Sequence, residues 1–302
     1  MTTQSGRPSR VRRGRRAAAA AGLATAVLAG TGVAVADAAD APSAECVVAA
    51  AGDVAGAEDY LTGAAGTARL ISEADPVTVL ALGDLAYDDG TVAEFERYYL
   101  PTWGAFRDRT EAVPGNHEAR TRGFAGIEAA LGDRADDNHA VTVCGWRIVL
   151  LNQYKGIPAA DRYLRRQARE NPGMPLLAVW HEPRFSSGKH GNEPGVQRLW
   201  HSARATRTRI VLNAHDHDYE RFAPQTSAGR RADDDTGTRQ FVSGLGGHKP
   251  RPFRTVRAHS EARVTGIPSV LFLTLEEDGS YSWALRSVDG EVRDAGSHPP
   301  LP

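Results

Sequence analysis

Apolar residues in this chain come in short runs that stop abruptly at polar clusters. Val47–Ala51 runs into Gly52-Asp53, Val77–Leu82 into Gly83-Asp84, and Ala112-Val113 into Pro114-Gly115-Asn116-His117. Leu176–Trp180 runs into His181, and Ile210–Leu212 into Asn213-Ala214-His215. Short apolar runs bounded by turn formers mark buried strands. Helical spacing of apolar positions between them predicts helices over 58–73, 91–106, 159–170 and 194–206. That alternation predicts an α/β architecture built from βαβ units. Two adjacent strands, 139–144 and 146–152, read as a hairpin through Gly145. Strands near 240–243, 269–275 and 281–286 finish the pattern, the last two joined through Glu277-Asp278-Gly279. Ser227–Thr238 reads as a charged, solvated loop, and the tail after Gly290 as polar and Pro-ended. No internal repeat or interdomain linker interrupts the pattern, so one domain is expected.

Composition changes this picture at the N-terminus. With 41% apolar and 24% charged residues the chain is ordinary for a globular protein. Its formal charge of −1 is uneven, because residues 1–36 hold six arginines and no acid. The body is therefore mildly acidic, which argues against a basic nucleic-acid-binding face. A basic stretch ending at Arg16, a small-apolar run from Ala17 to Ala36 and the Ala34-Val35-Ala36 site before Asp37 form the three-part pattern of a secretory signal. The run is near the length of a membrane span but is mostly Ala and Gly. Residues 1–36 are thus expected to be a cleaved signal, by a Sec or a twin-arginine route, leaving residues 37–302 as one exported domain without a stable membrane anchor. Cys46 and Cys144 are the only two cysteines. They are too few for a Cys-rich metal site, and either a single disulfide or two buried thiols fits an exported chain.

The candidate chemistry lies where the apolar runs end. In α/β sheets, binding residues gather beyond the carboxyl ends of strands. Here those ends present Asp53, Asp84, Asn116, His181 and the His215/His217 pair. One Asp after a Gly is commonly a turn residue, but five such endings in one chain exceed turn chemistry. Carboxylate, amide oxygen and imidazole together suit borderline metals such as Fe, Zn and Mn. In His215-Asp216-His217 the imidazoles are two residues apart, and an extended segment would point both the same way.

These residues resemble the calcineurin-like metallophosphoesterases, through Gly52-Asp53, Gly83-Asp84, Gly115-Asn116-His117-Glu118, Trp180-His181 and His215-Asp216-His217. Gly83-Asp84-Leu85-Ala86-Tyr87, His181–Gly191 and Ala214–Arg221 are similar to the purple acid phosphatase branch. The likeness runs over residues 46–247. It implies a four-layer α/β/β/α sandwich with two adjacent metal sites. Asp53, Asp84, Tyr87 and His217 would hold ferric iron, and Asp84, Asn116, His181 and His215 a divalent Fe, Zn or Mn, with Asp84 bridging. Ala214 stands where the family usually has glycine before His-x-His, so its methyl is expected to crowd the metal or shift the backbone.

The resemblance further implies a phosphoesterase acting on small phosphate esters, foremost monoesters, by attack of a metal-bound hydroxide. His117 and His190 would be the substrate-side catalytic histidines. No protein nucleophile is needed: Ser186-Ser187 lacks a nucleophile-elbow context, and Gly244–Gly247 is not followed by the Lys-Ser/Thr of a P-loop. The competing readings are a phosphodiesterase or nucleotide hydrolase on the same core, and a metal or phosphate binder without turnover.

Overall fold

The structure, a computed structural model, describes residues 45–300 except 133, 134, 136, 234 and 235. The expected signal at residues 1–36 lies outside the described residues. In chain order the strands are β1 Val47–Ala51, β2 Thr78–Ala81, β3 Thr110–Ala112, β4 His139–Val143, β5 Trp146–Leu150, β6 Leu176–Val179, β7 Ile210–Asn213, β8 Tyr219–Phe222, β9 Arg239–Ser243, β10 Ser260–Val264, β11 Ser269–Leu275, β12 Tyr281–Ser287 and β13 Val292–His298. The helices are α1 Glu58–Ala74, α2 Val92–Glu94, α3 Ala125–Leu131, α4 Ile157–Glu170 and α5 Gln197–Ala205, with several short 3₁₀ turns.

The strands form two sheets, ordered β13-β12-β11-β1-β2-β3 and β10-β8-β9-β7-β6-β5-β4. Strand residues alternate faces, and each face has its own apolar layer. Val48 and Ala50 of β1, with Leu80 of β2, meet Ile148, Leu177, Val179 and Leu212 between the sheets. Ala49 and Ala51 face outward with Ile71 of α1, Phe95, Trp103 and Ile127. Val149, Ala178 and Val211 face outward with Leu164 of α4 and Leu199 and Trp200 of α5. Helices outside, two sheets inside: this is the expected four-layer α/β/β/α sandwich. Burial on both faces explains why the parallel strands read as continuous apolar runs.

Three expectations change. The helix predicted over 91–106 is broken into α2, a π turn over Phe95–Tyr99 and a 3₁₀ segment Trp103–Arg109. Pro101 lacks an N–H and so interrupts the helical hydrogen bonding; Leu100 itself stays helical, and the chain turns at Thr102, with φ −116° and ψ −86°, before the 3₁₀ segment. The polar tail after Gly290, where no strand was expected, carries β13, paired antiparallel to β12. Strands β8 and β10 were not foreseen as strands. Both β10 and β13 are sheet edges, where main-chain pairing suffices and the side chains stay polar and largely exposed.

The cysteines are joined. Cys46, just before β1, bonds Cys144 in the tight turn between β4 and β5, with 6.1 Å between Cα atoms and 98 residues of separation. Cys144 and Gly145 both have positive φ, 51° and 74°, as a two-residue hairpin turn requires. The bond therefore staples one sheet to the other. In the chain-entropy model a loop of this size contributes about 4–5 kcal/mol. Denaturant unfolding with and without reductant is expected to differ by most of that amount; superimposable curves would show that the crosslink adds nothing.

Candidate metal centre

The parallel strands end at a common edge, and the loops leaving them bend sharply there. Asp53, Asp84 and His215 have φ of 57°, 52° and 71°, values that cost a non-glycine residue energy and that cluster at functional sites. Close approach of the loops is also demanded. A Cβ on Gly115 would lie 2.0 Å from Asp84 Oδ1, so only glycine lets the loop after β3 reach that carboxylate. The turns are fastened by Glu118, a buried carboxylate accepting from the backbone N–H groups of Asp84, Leu85 and Gly115, each at 2.8 Å, and of Ala86 at 3.3 Å.

Two donor groups result, and both contain Asp84. In the first, Tyr87 Oη donates to Asp53 Oδ1 at 2.7 Å and lies 3.2 Å from Asp84 Oδ2 and 3.3 Å from His217 Nε2. In the second, ligand atoms of Asp84, His181 and His215 all lie within 4.8 Å of one another. The buried Asn116 Oδ1 has no hydrogen-bond partner among the described residues. His181 Nδ1 donates to Leu82 O at 2.8 Å, which turns Nε2 toward Asp84 Oδ2, 3.2 Å away. Nε2 is buried and lacks a well-formed hydrogen bond. An orphaned amide oxygen, an orphaned imidazole nitrogen and crowded carboxylates fit cations that would sit among them.

Two expectations are refined here. His215 and His217 do not share a face of an extended segment. Successive tight turns, Asp216 N–H to Ala214 O at 2.9 Å and Asp218 N–H to Asp216 O at 2.7 Å, send His215 to the second donor group and His217 to the first. The methyl of Ala214 does not crowd the site either. It is buried in the core between the sheets, 2.5 Å from where a Cβ on Gly52 would stand, so Gly52 provides its room.

Electrostatics point the same way. Burial opposes charge on His181, but the Asp84 carboxylate outweighs it and raises the imidazole to about 10. Asp84 is held below the ordinary carboxylate range: burial opposes this, and His181 and then His117 overcome it. Burial raises Asp53, with Asp84 adding to it against the pull of His181. Burial and the same two carboxylates push the Tyr87 phenol well up. Burial, then neighbouring cations, lowers His215 to about 2 and His217 to about 3, so both are neutral and available as ligands. Protons and metal ions compete for one set of atoms.

The two histidines expected on the substrate side also lie at the site. His117 donates its backbone N–H to Asp84 Oδ1 at 2.9 Å, bonds Asp88 O through Nδ1, and holds Nε2 3.8 Å from Asp84 Oδ2. His190 packs edge-on against His215, ring centroids 4.1 Å apart. Sequence reasoning missed Glu118 as a fastener and passed over His248. The His248 ring stacks on Tyr87 at 3.8 Å, and its backbone N–H donates to Asp53 O at 2.9 Å. The available signal was the glycine run Gly244–Gly247, which leaves β9; that strand lies parallel to β7 and ends at the same edge.

The four-layer sandwich and the paired donor groups at its strand ends together define a metallophosphoesterase fold. The chain belongs to the calcineurin-like phosphoesterase family, which matches residues 47–219. Among solved structures it is similar in fold to purple acid phosphatase PPD1 from yellow lupin (Lupinus luteus) seeds, with TM-score 0.69 and 19% identity over 84% of this chain and 54% of that one. It thus spans about half of the lupin chain. GAP50, the anchor in the inner membrane complex of Plasmodium, is similar at TM-score 0.64 and 13% identity, over 86% of this chain and 90% of that one. PhoD is similar at TM-score 0.55 and 9% identity, over 84% of this chain and 68% of that one. No curated protein matches the sequence.

Proposed function

We propose that this protein is an exported phosphomonoesterase with two metal ions, one held by Asp53, Asp84, Tyr87 and His217, the other by Asp84, Asn116, His181 and His215. The observation that carries this reading is the convergence of two donor groups on one shared carboxylate, Asp84. Two cations bound there lower the pKa of water and neutralise charge on the departing oxygen. Tyr87 is a hard oxygen donor, which supports ferric iron in the first site and zinc, manganese or ferrous iron in the second.

The chain's own groups divide the remaining work. Asp88 O fixes the His117 ring so that Nε2 faces the Asp84 side of the site. From there His117 contacts the phosphoryl oxygens and supplies a proton to the leaving oxygen. The N–H of His190 is held by Asp216 Oδ1 at 2.8 Å, which keeps its ring at the rim beside His215. The cross-sheet disulfide supports export, because such bonds persist in oxidising compartments.

The test is hydrolysis of an aryl phosphomonoester against its matching diester by protein loaded with iron and a divalent metal. Preference for the monoester is expected, with visible absorbance from phenolate bound to ferric iron that Tyr87→Phe abolishes. Diester preference would replace the monoesterase reading with a phosphodiesterase. Colourless, active protein would remove the iron. Two bound metals without cleavage of either ester would favour a binding role.

A further inference from the structure

The segment leaving β9 returns over the donor groups and is tied to them through the main chain. His248 N–H donates to Asp53 O and Arg251 N–H to His217 O, both at 2.9 Å, and His217 Nδ1 lies 2.9 Å from Lys249 O. Thr265 Oγ1 fixes the Arg251 carbonyl at 2.6 Å. These bonds set where the Arg251 side chain starts. Its Nη1 donates to His190 Nε2 at 2.7 Å, and the His190 ring rests against His215, so the guanidinium stands at the rim of the second donor group.

That charge differs from those of the arginines paired elsewhere in the protein. Buried or half-buried carboxylates elsewhere in the protein recruit arginines: Asp161 pairs with Arg165 and Arg198, and Asp294 with Arg221. Among the described residues no carboxylate pairs with Arg251. A guanidinium carries five N–H donors, and His190 engages one of its nitrogens. A planar fork with donors to spare, placed beside a metal site, suits two oxygens of a single phosphoryl group.

We propose that Arg251 binds the non-bridging oxygens of the substrate phosphoryl group and sets a preference for the doubly charged monoester over the singly charged diester. This deepens the reading above and rests on it. His190 acts here as a positioning residue: because arginine only donates, His190 Nε2 accepts, and the bond holds the fork at the rim.

The test compares metal-loaded wild type, Arg251→Met and Arg251→Lys in three measurements: metal content, calorimetric binding of inorganic phosphate, and the monoester-to-diester ratio of kcat/KM. All three proteins are expected to hold the same metal. Arg251→Met is expected to weaken phosphate binding about tenfold or more, the scale of a lost charge-assisted hydrogen bond, and to lower the monoester-to-diester ratio similarly. Arg251→Lys, which keeps the charge without the fork, should fall between them. Equal phosphate affinity in wild type and Arg251→Met, or absence of phosphate binding by wild type, would overturn the proposal. Wild type that cleaves neither ester would defeat the monoesterase reading separately, and the phosphate titration would still decide the role of Arg251. Lower metal content in Arg251→Met alone would assign it to site integrity and also overturn the proposal; the Lys variant guards against mistaking misfolding for that result.

Discussion

Asp84→Asn is expected to lower kcat by about a thousandfold or more and to leave the protein short of at least one metal ion. The side chain keeps its shape and loses its charge at the one position common to both donor groups. Asp84 Oδ2 lies 3.2 Å from both His181 Nε2 and Tyr87 Oη, while Oδ1 accepts from the His117 backbone. An amide offers one acceptor oxygen where the carboxylate offers two, and it does not offset repulsion between two cations. The fold should survive, because the Asp84 backbone is held by Glu118 and not by its own side chain. Steady-state kinetics, elemental analysis and circular dichroism on the same preparation check this. Near-normal metal content and turnover would remove Asp84 as the shared ligand.

Glu118→Gln is expected to destabilise the protein by about 2–6 kcal/mol and to weaken metal binding by about 10- to 100-fold. Glu118 makes no direct claim on a metal. It accepts four backbone N–H groups, from Asp84, Leu85, Ala86 and Gly115, and so binds the loop after β2 to the loop after β3. Glutamine retains one acceptor oxygen, and its amide N–H₂ would face donors. At least two buried N–H groups then lose their partner, each costing about 1–3 kcal/mol. Thermal unfolding of the metal-free protein reads the stability term, and competition with a chelator reads the affinity. Unchanged values in both would show that the loops hold their shape without the cradle.

Much of the site could be read along the chain because of how parallel strands work. Their carboxyl ends share one edge, so a polar residue following each apolar run is placed at that edge before any coordinates are known. Asp53, Asp84, Asn116, His181 and His215 were legible for that reason. His217 was legible from its place two residues after His215, and Tyr87 only through the family resemblance. The same runs predicted an α/β architecture, and the family resemblance supplied the four-layer sandwich.

Other features depend on contacts between segments far apart in sequence. The segment 91–106 has apolar spacing suited to a helix, yet Pro101 divides it, and packing against the sheet keeps its aromatic residues buried all the same. Edge strands β10 and β13 carry no strong apolar pattern, because the main chain and not the side chains secures them. Whether Cys46 meets Cys144 depended on how the sheets stack, and whether Ala214 disturbs the site depended on the missing Cβ of Gly52. The sequence by itself determined the candidate donor types, their order and the α/β alternation that presents them. Only the tertiary structure decided that Glu118 ties two loops together, that His248 covers Tyr87 and that Arg251 reaches His190. Each of these is a bond between loops from different strands, and periodicity along one segment carries no information about which other segment folds against it.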